Sequence, residues 1–294
     1  MITLAQCIFS GILTGLLYSL IGLGLTIVWR SGRIVNLAQG EIIVLGGFVV
    51  WSLVAIFSPF WWLGLIISFV LLALVGLLIE RFTFRPIIGQ PIFSLFMMSI
   101  ALILVFRGIL MVGWGGEPQS FPVFFPIKAT KLGPFIFDSS LFWGGIISFF
   151  AVVALTLFFE RTKWGLKLSA VAEDHQIAQS LGISVKRAIM IAWVITALFA
   201  CFASIVFLNG KTLTHLATVI GFRGVVVAIL AGLESIMGIM LAGVIVGISE
   251  ALARAYLDPL TGGGMADIVP FVIMIVIILI KPQGLFGWKV IERV

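Results

Sequence analysis

Trp61-Trp62-Leu63-Gly64-Leu65-Ile66-Ile67-Ser68-Phe69-Val70-Leu71-Leu72-Ala73-Leu74-Val75-Gly76-Leu77-Leu78-Ile79 is a stretch of nineteen residues without a single charge. Wound as an α-helix it would be about 28 Å long, close to the roughly 30 Å of hydrocarbon in a bilayer. With its flanks, 60–82, it reads as a membrane span. Comparable apolar runs lie at 5–28, 35–57, 91–113, 141–160, 188–208, 218–233, 236–256 and 266–281. The run at 218–233 is short and interrupted by glycine, which leaves a re-entrant reading open beside a full crossing. The expected fold class is therefore all-α: a polytopic membrane protein of about eight to ten helices, forming one permease-like domain over 1–294.

Composition agrees. Of 294 residues, 62% are apolar and only 10% charged, and the mean hydropathy is +1.27. Soluble domains carry about 25% charged residues, so this chain cannot cover a water-facing surface. The formal charge of +6 is not gathered into a nucleic-acid-binding patch; the basic residues sit in short loops beside the spans. With the N-terminus outside, Arg30, Arg33, Arg81, Arg85, Arg161, Lys163, Lys167, Lys186, Arg187, Lys281, Lys289 and Arg293 fall on one side, 12 of the 18 Lys and Arg. The positive-inside bias then makes 160–187 and the C-terminus cytoplasmic. Segment 114–140 faces outward; Gly115, Gly116, Pro118, Pro122, Pro126 and Pro134 mark it as turns and short extended pieces, suited equally to an external partner or to a lid. Cys7 and Cys201 both lie in apolar runs, so neither a disulfide nor a metal site is expected. Leu4-Ala5-Gln6-Cys7 imitates a lipoprotein cleavage box but lacks a basic start, and reads as an uncleaved anchor.

One charged, helix-prone island interrupts the apolar pattern: Ala172-Glu173-Asp174-His175-Gln176-Ile177-Ala178-Gln179-Ser180-Leu181-Gly182. Ala170, Asp174, Ile177, Ala178 and Leu181 share a helical face, and Gly182 suits a helix C-terminus. Such a narrow stripe fits a groove on another protein; the competing reading is a helix lying passively on the lipid surface. Asn209-Gly210-Lys211-Thr212 imitates the end of a P-loop. However, Ile205 stands where the first glycine belongs and a membrane helix precedes it, so no nucleotide site is expected.

Other polar groups are sparse. Asn36 can cap the span at 35–57, with Gln39 reaching back as in a capping box, and Glu41 favours the positive helix end. A broken helix there could instead lend polar groups to a solute path. Within the spans, Glu250 and Arg254 stand one turn apart and can pair. Glu234 and Arg107 are further charges at membrane depth, with Arg107 and Arg254 expected to snorkel. Gly11 with Gly15, and Gly243 with Gly247, are spaced for close helix packing. Residues 38–47 loosely echo 234–243, the kind of internal repeat that transporters carry. No metal cluster, catalytic set or cofactor motif is visible.

Several segments in order resemble the LivH-type permeases of branched-chain amino acid ABC importers. They are Gly15–Thr26, Ile34–Glu41, Arg85-Pro86, Ala172-Glu173-Asp174 with Ala178 and Leu181-Gly182-Ile183, and Lys281–Gly287. The resemblance implies an ABC importer permease fold, driven by two cytoplasmic ATPase subunits and served by an external solute-binding protein. It also implies a second related (LivM-like) permease subunit or a homodimer mate. It makes Glu173, Asp174, Gln176, Ile177, Ala178, Leu181 and Gly182 the ATPase-coupling surface. Asn36, Gln39, Glu41, Glu234 and Ser235 become solute-path candidates. Glu234 stands where the family favours glycine, so the expected solute is a branched-chain amino acid or a related small polar solute. Relatives are also associated with urea and short amides, and an ATP-independent carrier or channel is the competing class.

Overall fold

The computed structural model describes residues 2–132 and 135–287; Pro134, Lys289 and Arg293 lie outside the described residues. Helices dominate, as the apolar runs require. They are α1 (Ile2–Gly32), α2 (Gln39–Ile56), α3 (Trp61–Leu78), α4 (Ile92–Trp114), α5 (Ser139–Arg161), α6 (Lys163–Glu173), α7 (His175–Ser180), α8 (Val185–Leu208), α9 (Ile220–Ala231), α10 (Ile236–Leu252), α11 (Asp258–Thr261) and α12 (Met265–Ile280). Among the described residues seven helical stretches are long and apolar enough to cross a bilayer; His215–Ala231 and Met265–Ile280 are shorter. All nine expected apolar segments are thus helical, and the polytopic all-α fold stands. The segment expected at 218–233 is a half-length helix: the 12 residues of α9 reach only about 18 Å.

The breaks follow from residue chemistry. Proline stands at the start of α4, where Pro91 is the N-cap, and glycines 262, 263 and 264 all take positive φ between α11 and α12, conformations open to residues without a Cβ. Two long helices end in wide π turns, α3 at Ile79–Phe84 and α10 at Ala253–Leu257. The first brings Glu80 and Arg85 together, five residues apart, with both carboxylate oxygens bonded to the guanidinium at 3.0 and 2.9 Å. That spacing matches the i→i+5 geometry of a π turn rather than an α-helix.

The chain groups into two compact units. The first comprises Met1–Thr26, Pro126–Thr156 and Arg223–Val294. Its centre is the contact of α1 with α10. A Cβ on Gly15 would lie 2.3 Å from the Gly243 carbonyl oxygen, and one on Gly247 would lie 2.2 Å from that of Gly11. The two glycine pairs therefore pack against each other. Ser19 Oγ ties the same helices by donating to Gly15 O at 2.9 Å and to Ile239 O at 3.1 Å. The Lys281–Gly287 segment seats on the α9–α10 turn: Leu285 N donates to Leu230 O at 2.8 Å.

The second unit comprises Ile27–Phe125 and Leu157–Phe222. Here α2, α3 and α8 pack together, again through small residues: a Cβ on Gly76 would meet Trp193 O at 2.6 Å. Phe84 stacks on fully buried Trp193 at 4.6 Å between ring centroids. The connections that follow α4 and α8 are joined by a short antiparallel pair, β1 (Gln119–Ser120) with a strand at Thr212–Leu213. The P-loop imitation belongs to this joint. Asn209 Oδ1 accepts the backbone N–H groups of Phe124 and Phe125 at 2.7 and 3.0 Å.

Candidate functional site

Two broken helices meet in the second unit. Residues 33–38 run in non-helical conformation before α2, and a 3-10 turn at His215–Val219 precedes α9. Gly40 and Gly221 touch at this crossing: a Cβ on Gly221 would lie 2.5 Å from Gly40 Cα, and one on Gly40 would lie 2.5 Å from Thr218 O. Only glycine at both positions permits that approach.

Glu41 lies beside the contact, its side chain only 4% exposed. Arg107, in the C-terminal half of α4 within the apolar run, donates from Nε to Glu41 Oε1 at 2.8 Å. Glu41 Oε2 is buried with no hydrogen-bond partner. The expectation that Arg107 snorkels is thus corrected: an internal carboxylate holds it, because an unpaired charge at membrane depth is costly. Leu37, Gly40, Glu41, Ile103, Arg107, Thr218, Gly221 and Phe222 line a cleft of about 10 Å³, room for about one water.

The expected capping box at Asn36 is not formed. α2 begins at Gln39 with Ala38 in the cap position and no side-chain cap. Asn36 is fully buried and donates from Nδ2 to Gln39 Oε1 at 3.0 Å. Asn36, Gln39 and Glu41 are therefore gathered on one polar lead-in. Glu234 and Ser235 belong to the other unit, at the α9–α10 turn. There Ser235 Oγ accepts Gly238 N at 2.9 Å and caps α10, while Gly232 and Leu233 close α9 with positive φ.

The polar island is two helices rather than one. Asp174 ends α6 and caps α7, its Oδ1 accepting Gln176 N at 2.6 Å and Ile177 N at 3.0 Å. Those N–H groups, that of Ile177 foremost, hold its carboxyl below the ordinary carboxylate range. Gly182 takes φ +76°, and Gly182 N and Ile183 N bond back to Gln179 O and Ala178 O, both at 2.9 Å. This is a Schellman ending, so the glycine stop is as the sequence implies. The break alters the expected stripe: Ala178 turns inward at 1% exposure, whereas Ile177 and Leu181 stand 60% and 71% exposed. Glu173 and Gln176 are exposed beside them.

This element is fastened to the lead-in of α2. Arg33 Nε donates to Ala172 O, and Arg30 Nη2 to Ser169 Oγ, each at 3.0 Å. Arg30 also lies 4.9 Å over the Phe159 ring. Arg33 adopts φ +52°, a strained conformation for a residue with a side chain. A pocket of about 230 Å³ opens here, with Arg33, Gly89, Gln90 and His175 on its walls.

In the first unit the buried Glu250 gathers a polar network that reaches the surface. It accepts from Tyr18 Oη at 2.8 Å, Arg223 Nε at 3.1 Å and Arg254 Nη2 at 2.6 Å, and Arg223 continues to Asp267. The one-turn pairing of Glu250 with Arg254 is as expected; Tyr18, Arg223 and Asp267 were not evident from spacing. Among the described residues no three His, Cys, Asp or Glu gather as a metal site would require.

Residues 7–278 match the family described as "Branched-chain amino acid transport system / permease component", and the chain belongs to that family. It is 28% identical to the high-affinity branched-chain amino acid transport system permease protein LivH of Escherichia coli (strain K12), covering 98% of this chain and 97% of that one. It is 27% identical to the corresponding permease protein BraD of Pseudomonas aeruginosa, again over 98% and 97%. Among solved structures it is similar to PsaBC from Streptococcus pneumoniae in complex with Fab, with a TM-score of 0.50 and 13% identity over 96% of this chain and 92% of that one. That likeness supports the shared membrane fold.

Proposed function

We propose that this permease carries a branched-chain amino acid, or a closely similar small polar solute, through the inner membrane of a bacterium. Two ATPase subunits would dock on the cytoplasmic face of α7, and an external binding protein would deliver solute on the opposite side. A second permease subunit, LivM-like or another copy of this chain, would complete the transmembrane pair. The N-terminus is assigned to the outside and the C-terminus to the cytoplasm by the distribution of Lys and Arg.

The observation that carries the coupling reading is the architecture of α6–α7. Ala178 is buried while Ile177 and Leu181 project, so the turn offers an apolar grip from a fixed base. Arg33 and Arg30 join that base to residues 34–38, which include Asn36 and run directly into Gln39, Gly40 and Glu41. Movement of α7 by an ATPase would therefore reach the Gly40–Gly221 crossing through a short, bonded path. Coupling requires that ATPase binding favour one arrangement over another, and a crossing at which a spanning helix and a half-length helix both begin would allow a second one. The solute path is assigned to this crossing. Ser235 is already engaged in capping α10, and Glu234 opens the same turn.

Replacing Ile177 and Leu181 together by Asp should abolish co-purification of the ATPase subunits while the spans remain folded. Unchanged association would overturn the docking surface. A self-sufficient carrier or channel is the competing reading; solute uptake by liposomes holding this chain without any ATPase would establish it instead.

A further inference from the structure

We infer that the Glu41–Arg107 pair is a charge filter within the membrane subunit itself, passing solutes that carry an ammonium and a carboxylate together and holding back those with one charge or none. The inference rests on assigning the solute path to the Gly40–Gly221 crossing, and it adds a selection step to whatever a binding protein performs.

Three observations carry it. Glu41 is almost wholly enclosed, with one oxygen bonded to Arg107 at 2.8 Å and the other buried without a hydrogen bond of ordinary geometry, the Thr218 side chain being its polar neighbour in the cleft. Arg107 is half exposed, at 50% of its side chain. A guanidinium has five N–H donors, and among the described residues Arg107 makes one hydrogen bond, to Glu41. The cleft around the pair, about 10 Å³, is far too small for an amino acid. Admission of solute at this point therefore requires α2 and α4 to separate there, which parts Glu41 from Arg107.

The physics of that separation sets the selectivity. Removing one partner from a buried ion pair leaves an uncompensated charge and is strongly unfavourable. A zwitterion replaces both partners at once: its ammonium meets Glu41 and its carboxylate meets Arg107. An amine satisfies Glu41 alone, a carboxylic acid satisfies Arg107 alone, and an amide satisfies neither fully. Because Glu41 is the more deeply buried, the ammonium is the more important of the two charges. A site built around buried polar groups rejects an analogue that leaves them unpaired far more strongly than one differing by a methylene.

The test uses the permease assembled with its ATPase subunits in lipid nanodiscs, with Cys7→Ser, Cys201→Ala and a reporter Thr218→Cys in the cleft wall. Labelling of this cysteine by a small charged methanethiosulfonate is followed with and without ATP, against leucine, isopentylamine, isovalerate and isovaleramide. Leucine should protect at a concentration about 100-fold or more below that of isovaleramide, with isopentylamine between them. Glu41→Gln should retain labelling yet erase the preference for leucine. An amide protecting within about threefold of leucine would overturn the filter while leaving the path in place. A cysteine that is never labelled, at 218 or at a second reporter Ile103→Cys, would overturn the path and the filter with it.

Discussion

The α1–α10 seam and the α2–α9 crossing use one device, glycine against glycine, for opposite ends. In the seam, Gly11, Gly15, Gly243 and Gly247 interlock over more than one helical turn. Ser19 bonds both helices together there, and the one carboxylate at the contact, Glu250 of α10, has both oxygens bonded, to Tyr18 of α1 and to Arg223 and Arg254. The crossing has a single glycine contact, two helices that begin at it rather than pass through it, and a buried carboxylate with one oxygen unpartnered. Repeated small-residue contacts with satisfied polar groups make a fixed joint. One contact beside an ion pair is what the proposed opening of the crossing would require. Glycine alone, then, does not mark a moving part; the polar surroundings decide.

Substitutions that distinguish the two joints follow in order of effect. Gly247→Val should be the most severe, since even its Cβ would lie 2.2–2.6 Å from backbone atoms of Gly11 and Gly15. Overpacking of about 3 kcal/mol or more should leave little inserted protein, read as the monodisperse yield after extraction. Normal yield would mean that the seam is looser than described. Gly221→Ala should cost less, about 1–3 kcal/mol, because the crossing has only one contact to displace. The protein should insert and bind ATPase, but ATP-driven uptake should drop by about tenfold or more. Undiminished uptake would show that the crossing does not need to close this tightly.

The smallest effect belongs to Asp174, on which the α7 turn depends. Its carboxyl is held below the ordinary range in the folded chain, so the cap is fully present above the unfolded carboxylate pKa and is lost as pH falls through the folded one. ATPase association should thus be level near neutral pH and weaken only in acid. Asp174→Asn, still a good N-cap, should flatten that dependence. An unchanged acid profile in the Asn variant would dissociate the cap from docking.

Much of the fold was legible because hydrocarbon imposes length: any apolar run near twenty residues has few alternatives to a helix. The glycine spacings of the seam were legible for the same reason, since nothing else brings backbones so close. The Gly182 stop was legible from its chemistry alone. What escaped the sequence were partnerships across distance. Glu41 and Arg107 stand 66 residues apart, and no local period links them. Arg107 therefore read as a snorkelling side chain. Asp174 was placed on a continuous stripe because its side chain fits a helical face. Only the competing bond to the following N–H groups turns it into a break. Glu80 and Arg85 share a spacing that an α-helical reading passes over. The capping role of Asn36 failed because its amide is held inside by Gln39, two polar side chains answering each other rather than the backbone.

The wide turn at Ile79–Phe84 also bears on how this chain can change in length. A π turn is one residue more than an α-helix needs over the same rise, so that stretch behaves as an accommodated insertion. Deleting one residue there would let the helix run on in regular α form, rotated by about a quarter turn at its end. Glu80 and Arg85 would then stand four apart, able to meet as an ordinary helical pair. A deletion at most other points of α3 would shift the face carrying Gly64 and Gly76 against its neighbours. The surplus residue makes this the place in the helix where a length difference is best absorbed.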